Sequence, residues 1–117
     1  MNSIANIIGP IYQNLLGLCE KRKIAINLDL ENPSRKIRQE PLLRQFLKDS
    51  LSVAIKSCKP GNKITIAQDL SEDNSIHFSV KYDGDVLDNA QKAALIEKEY
   101  NVRSRYGYGN TISIEIN

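Results

Sequence analysis

Residues able to do chemistry are few in this chain, and they are scattered. His77 is the only histidine, and Cys19 and Cys58 are the only thiols. No CxxC pair is present, and a Zn site needs four Cys or His ligands close together, so a structural metal is excluded. Free buried thiols in a reducing compartment are the expectation. His77 falls on the polar side of an alternating stretch, with no coherent nucleophile–base spacing around it. Two other groups stand out. Asp49, Ser52, Val53 and Lys56 recur at helical spacing and would share one face. Asp83-Gly84 lies in a turn, and a second glycine cluster runs from Tyr106 to Asn110.

The elements that must position these groups follow from periodicity. Ile4, Ile7, Ile8, Ile11, Leu15, Leu18 and Cys19 form an i, i+3, i+4 stripe over residues 3–22. Gly9-Pro10 interrupts it, so either a kinked helix spans 3–22, or a helix starts at Pro10 with 3–8 as a separate turn. Ile24, Ile26, Leu28 and Leu30 alternate with small or polar residues, the signature of a strand with one buried face. Lys36-Ile37-Arg38 reads as a short edge strand. Glu40-Pro41 opens a helix whose buried face is Leu43, Phe46, Leu47, Ser50, Leu51, Ala54 and Cys58, ending at Lys59-Pro60-Gly61. Strands over 63–68 and 76–82, a helix over 86–100, and strands over 101–105 and 111–116 complete the chain. Hairpins mixed with helices predict an α+β, two-layer α/β sandwich: one mixed β-sheet with helices packed on one face.

Composition narrows the class. The chain has 117 residues, 41% of them hydrophobic and 26% charged, which is one ordinary globular domain. Lys+Arg number 16 against 14 Asp+Glu, a net +2 that is too even to specify nucleic acid as partner. No run is long and apolar enough for a membrane span, and no signal peptide is visible. A cytoplasmic location is expected, with no membrane contact by this domain.

Three stretches resemble the ATP-binding domain of sensor histidine kinases, a fold shared with gyrase, a heat-shock chaperone and a mismatch-repair ATPase (the GHKL family). LLRQFLKDSLSVAIKSCKPG (42–61) is similar to the family's helix with the pattern Asn-x-x-x-Asn-Ala-x-Lys. VKYDGDVL (80–87) sits where the family has Val-x-Asp-x-Gly-x-Gly-Ile. GYGNTISIEI (107–116) looks like the closing hairpin, Gly-x-Gly-Thr-x-Phe-x-Ile-x-Leu. The resemblance spans roughly residues 10–117. It implies ATP and magnesium as cofactors, with Asp49, Lys56, Asp83 and Gly84 as the contacts that remain.

The departures from the pattern carry as much information. The family's second helix Asn coordinates the magnesium; here it is Val53, and a hard cation requires oxygen ligands. The adenine-binding Asp is matched by Tyr82, with Asp83 one place later, and the second glycine of the box is Val86. The segment between this box and the last hairpin holds one helix, without the family's lid and second glycine box, which cradles phosphates on backbone N–H groups. The strand-like TISIEI after Gly109 cannot replace that box. Phosphoryl transfer rests on positioning and charge neutralisation. The expectation is therefore a degenerate domain with no catalytic residue, no metal site and no bound cofactor. It would act as a scaffold or docking domain, as in histidine phosphotransferases, with a response regulator or another signalling protein as partner.

In this setting residues 1–117 form one domain. Residues 1–22 continue an upstream dimerisation helix, through which a homodimer could form, or simply cover the core. Two alternatives remain open at this point. One is an active ATP-binding kinase domain with divergent motifs. The other is a small single-strand nucleic-acid module using Arg103, Arg105, Tyr106 and Tyr108, which the near-neutral charge disfavours.

Overall fold

A computed structural model describes residues 1–117. Its elements, in order, are α1 (Ile4–Lys21), β1 (Ala25–Leu30), α2 (Glu40–Ser57), β2 (Lys63–Leu70), β3 (Ile76–Tyr82), α3 (Asn89–Glu97), β4 (Asn101–Arg105) and β5 (Gly109–Ile116). The five strands form one sheet in the order β1-β2-β3-β5-β4. β1 runs parallel to β2, which requires the α2 crossover between them, and every other pair is antiparallel. The sheet is thus mixed, and the helices pack on one face, as the α+β sandwich reading expects.

Period-two patterning explains which face is covered. Ile64 and Ile66 on β2, Phe78 and Val80 on β3 and Ile112 on β5 are all fully buried. The register pairs Ile66 with Val80 and Val80 with Ile112, so these side chains make one continuous layer. From the other side, α2 contributes Leu43, Phe46, Leu47 and Ala54, all at 0% exposure. Each large aliphatic or aromatic side chain so enclosed contributes about 1.5–3 kcal/mol. With so few aromatic residues, the layer is built from Ile and Leu.

Several expectations need adjustment. α1 is continuous through Pro10. Its first turn is held from outside: Ser3 Oγ accepts from the Asn6 N–H, and the amides of Ile4 and Ala5 donate to the carbonyls of Arg35 and Pro33. Those bonds keep residues 4–9 helical despite the donor lost at Pro10. Lys36–Arg38 is not a sheet strand. Lys36 makes a single bridge to Ser3, and the adjacent Ile37 N–H donates to the Asn2 carbonyl. β1 buries only Ile26, because it is an edge strand, and Leu28 is exposed. α3 is shorter than 86–100. Asp88 caps it with a capping box, and Glu99 adopts φ 67°, which ends the helix and turns Tyr100 inward.

Candidate functional site

The polar face of α2 meets the end of α3. Tyr100 leaves α3 to stack edge-on against Phe46, ring centroids 5.2 Å apart at 83°. That contact aims its hydroxyl at α2, where it donates to Asp49 Oδ2 at 2.7 Å. Lys98 Nζ reaches the same oxygen at 3.1 Å, and Gln45 Nε2 donates to Oδ1 at 2.9 Å. Burial alone would raise the Asp49 carboxyl. The hydrogen bonds from Tyr100, Lys98 and Gln45 outweigh it and hold the group below the usual carboxylate range. Burial, and then the same contact with Asp49, push the Tyr100 phenol well above its ordinary value.

The residues of this face do not fit a divalent cation. Both Asp49 oxygens are engaged, one of them by an ammonium, and Val53, half-buried one turn along, offers no oxygen. Magnesium demands several oxygen ligands in octahedral array. No cluster of three or more His, Cys, Asp or Glu side chains suited to a metal exists in the chain.

The glycine loop is built for packing. A Cβ on Gly84 would lie 2.4 Å from the Ser57 carbonyl oxygen, so only glycine lets this loop press against the last turn of α2. The Asp85 N–H donates to that same carbonyl. Asn110, 3% exposed, clasps the loop from the other side. Its Nδ2 lies 3.1 Å from the Gly84 carbonyl, 3.3 Å from that of Asp85 and 3.4 Å from that of Tyr82. Its Oδ1 accepts from Ser104, whose hydroxyl in turn accepts from the Leu87 N–H. Asp83 is exposed, and its Oδ2 accepts from the Lys63 N–H at 3.1 Å, capping the start of β2.

Tyr82, at the position matched to the adenine-binding acid, points into the core and is 3% exposed. Its hydroxyl has no hydrogen-bond partner. Burial, and then the Cys58 thiol nearby, push the phenol up to about 12; the Ser57 hydroxyl, near but out of hydrogen-bond geometry, offsets only part of this. Cys58 is itself buried, and burial drives its thiol up to about 11.

The four expected contact residues therefore do not converge. Asp49 is tied to the end of α3. Lys56 is exposed, without an ion pair, and lines a groove between α1 and α2. Asp83 and Gly84 border an open cleft of about 870 Å³ facing Arg105 and the Tyr106–Gly109 turn. None of the five main surface cavities is lined by Asp49 or Val53. His77 lies on the uncovered sheet face, paired across the strands with Asp69 at 3.0 Å. Tyr106 and Tyr108 project from the β4–β5 turn at 92% and 87% exposure.

Sequence reasoning missed Lys98, Tyr100 and Asn110. Lys98 and Tyr100 fall at the end of the helix expected over 86–100, where no local pattern marks either as a partner of Asp49. Only the fold brings them to Asp49 and to the glycine loop.

This architecture is that of histidine kinase catalytic domains. The catalytic domain of histidine kinase ThkA superposes with a TM-score of 0.76 at 17% identity, over 97% of this chain and 91% of that one. The histidine kinase domain of the blue-light activated kinase EL346 from Erythrobacter litoralis gives 0.75 at 13% identity, over 97% of this chain and 60% of that chain. The Acinetobacter baumannii histidine kinase AdeS gives 0.74 at 13% identity, over 99% and 65%. ThkA in complex with the response regulator protein TrrA gives 0.76 at 15% identity, and there the chain spans 40% of the kinase. No protein-family model and no curated protein matches the chain. No helix is long and apolar enough to cross a membrane.

Proposed function

We propose that this chain is a degenerate histidine-kinase-type ATPase domain of two-component signalling. It serves as a scaffold or docking domain of a histidine phosphotransferase or pseudokinase and does not hydrolyse ATP productively. The observation that carries this reading is the occupation of Asp49. The one acid on the α2 face that corresponds to the magnesium-binding helix is held by Tyr100, Lys98 and Gln45. Held in this way its oxygens are not free to help hold a metal-bound triphosphate, and phosphoryl transfer rests on such positioning and charge neutralisation. Three further features support it: Val53 in place of an oxygen ligand, the buried Tyr82 ring in place of the adenine acid, and the single short helix α3 in place of a lid.

The partner in this reading is a response regulator, and the setting is the cytoplasm. ThkA, whose fold this chain shares, has been solved in complex with the response regulator TrrA. Residues 1–117 act as one domain, with residues 1–22, which contain α1, joined to an upstream dimerisation helix.

A titration with a fluorescent ATP analogue in magnesium tests the proposal. The expected result is no saturable binding. Micromolar binding that Asp83→Asn abolishes overturns the reading in favour of an active ATP-binding domain.

A further inference from the structure

A groove of about 530 Å³ runs between α1 and α2, on the helix layer's outer side. Its floor is aliphatic: Ile11, Leu15 and Leu18 from α1 face Leu47, Leu51 and Ile55 from α2. On α1 these recur at i, i+4 and i+7, and on α2 at i, i+4 and i+8, so two apolar stripes lie side by side. Leu18 is 44% exposed and Ile11 and Leu15 are half-buried, so the α1 side of the floor is open to solvent, while Leu47, Leu51 and Ile55 close it from beneath as part of the core.

The rim has one sign of charge. Arg22, Arg44, Lys48 and Lys56 line it, and no carboxylate does. Arg44 is paired with Glu40 at 2.8 Å; the other three cations make no salt bridge. Asp49, the nearest acid in sequence on α2, turns away to Tyr100 and Lys98. From Arg44 to Lys56 the groove spans about 18 Å of helix axis, the length of three to four turns of a docked helix.

We propose that this groove binds an amphipathic helix of a partner protein, one with an aliphatic stripe flanked by Asp or Glu. The aliphatic floor supplies affinity through burial, and the cations select orientation and partner. Charge argues against a second copy of this chain as the occupant. A two-fold pairing through the groove would face Arg22, Lys48 and Lys56 against themselves, and like charges so juxtaposed are repelled. The concave shape favours a helix over a flat lipid surface. The inference stands on the groove alone and holds whether or not the domain binds nucleotide.

The test uses two synthetic peptides of about 15 residues. Both carry leucine at i, i+3, i+4 and i+7; one has glutamate on the flanks, the other lysine. Binding is followed by anisotropy and by amide resonances of the 117-residue protein. The glutamate peptide is expected to bind and to shift residues of the groove, and the lysine peptide to bind about tenfold more weakly, the effect of two partly exposed ion pairs. Lys48→Glu with Lys56→Glu, both at exposed positions, should reverse that order, and Leu18→Glu should weaken both peptides. Equal affinities, or shifts outside the groove, overturn the proposal. So do groove resonances that move with protein concentration alone, which would mean a second copy. Tighter binding to phosphatidylserine vesicles, lost in the Lys48→Glu, Lys56→Glu variant, would replace the helix with a membrane.

Discussion

The hydroxyl of Tyr100 donates to Asp49 Oδ2 at 2.7 Å, joining residues 51 positions apart. Removing that donor tests how much the pairing stabilises the fold. Tyr100→Phe keeps the ring contact with Phe46 and loses only the hydrogen bond to a charged acceptor. Urea unfolding should show a loss of about 1–2 kcal/mol. An unchanged midpoint would mean that the bond is exchanged freely with water.

Acid should weaken the fold in a defined window. Asp49 titrates below its ordinary value in the native state. Asp73 is held at about 2, chiefly by the Ser71 hydroxyl and also by Ser75. The unfolded chain, with ordinary values of about 4, therefore binds more protons than the native chain across this range. The stability from these groups is complete above about pH 4 and is lost as pH falls toward about 2. Urea midpoints measured from pH 6 downward should fall in that interval, and Asp49→Asn should flatten the curve. A flat wild-type profile would contradict the assignment.

Glycines should differ by position. Gly84→Ala drives a methyl group against the Ser57 carbonyl at 2.4 Å and should cost about 1–3 kcal/mol or more. Gly17 is exposed inside α1, with nothing within 4 Å of an added Cβ, so Gly17→Ala should stabilise by about 0.5–1 kcal/mol. Thermal melts of the two variants should move in opposite directions; a shared direction would refute the packing argument for the loop.

Asn110→Ala removes the clasp on the carbonyls of Tyr82, Gly84 and Asp85 and leaves Ser104 without its acceptor. A cost of about 2–3 kcal/mol is expected from unsatisfied buried groups. Hydrogen exchange at Asp85 and Leu87 should accelerate well before that of β3. Uniform acceleration across the sheet would point to global destabilisation instead.

The thiols should be inert while the protein is folded. Cys19 and Cys58 are both buried and free, and burial raises both above the ordinary thiol range. An Ellman assay at pH 8 should register them only after denaturant is added. Prompt reaction in buffer would show that one of them is reachable.

The sheet and α2 were legible in the sequence because alternation and helical spacing are local signals. Ile112, Ile114 and Ile116 can form only one kind of strand face, and Glu40-Pro41 and Pro60-Gly61 mark both ends of α2. The start of α1 was ambiguous because Pro10 speaks only of its own missing donor, while the compensating bonds come from Pro33 and Arg35. The end of α3 was hidden because nothing in Glu-Lys-Glu-Tyr announces a positive φ at Glu99. At the candidate site, Val53 and Tyr82 could be read as substitutions in a pattern. The ties from Asp49 to Lys98 and Tyr100 could not, since residues about 50 positions apart leave no periodic trace.

The parallel pairing of β1 with β2 also sets an order of assembly. β2, β3 and β5 meet through antiparallel contacts, with a short turn between the first two, whereas β1 can dock only after α2 has been laid across the sheet. The margin held by Leu28 and Asp29 should therefore be the last part of the sheet to close during refolding. It should also be among the first to fray when the native state breathes.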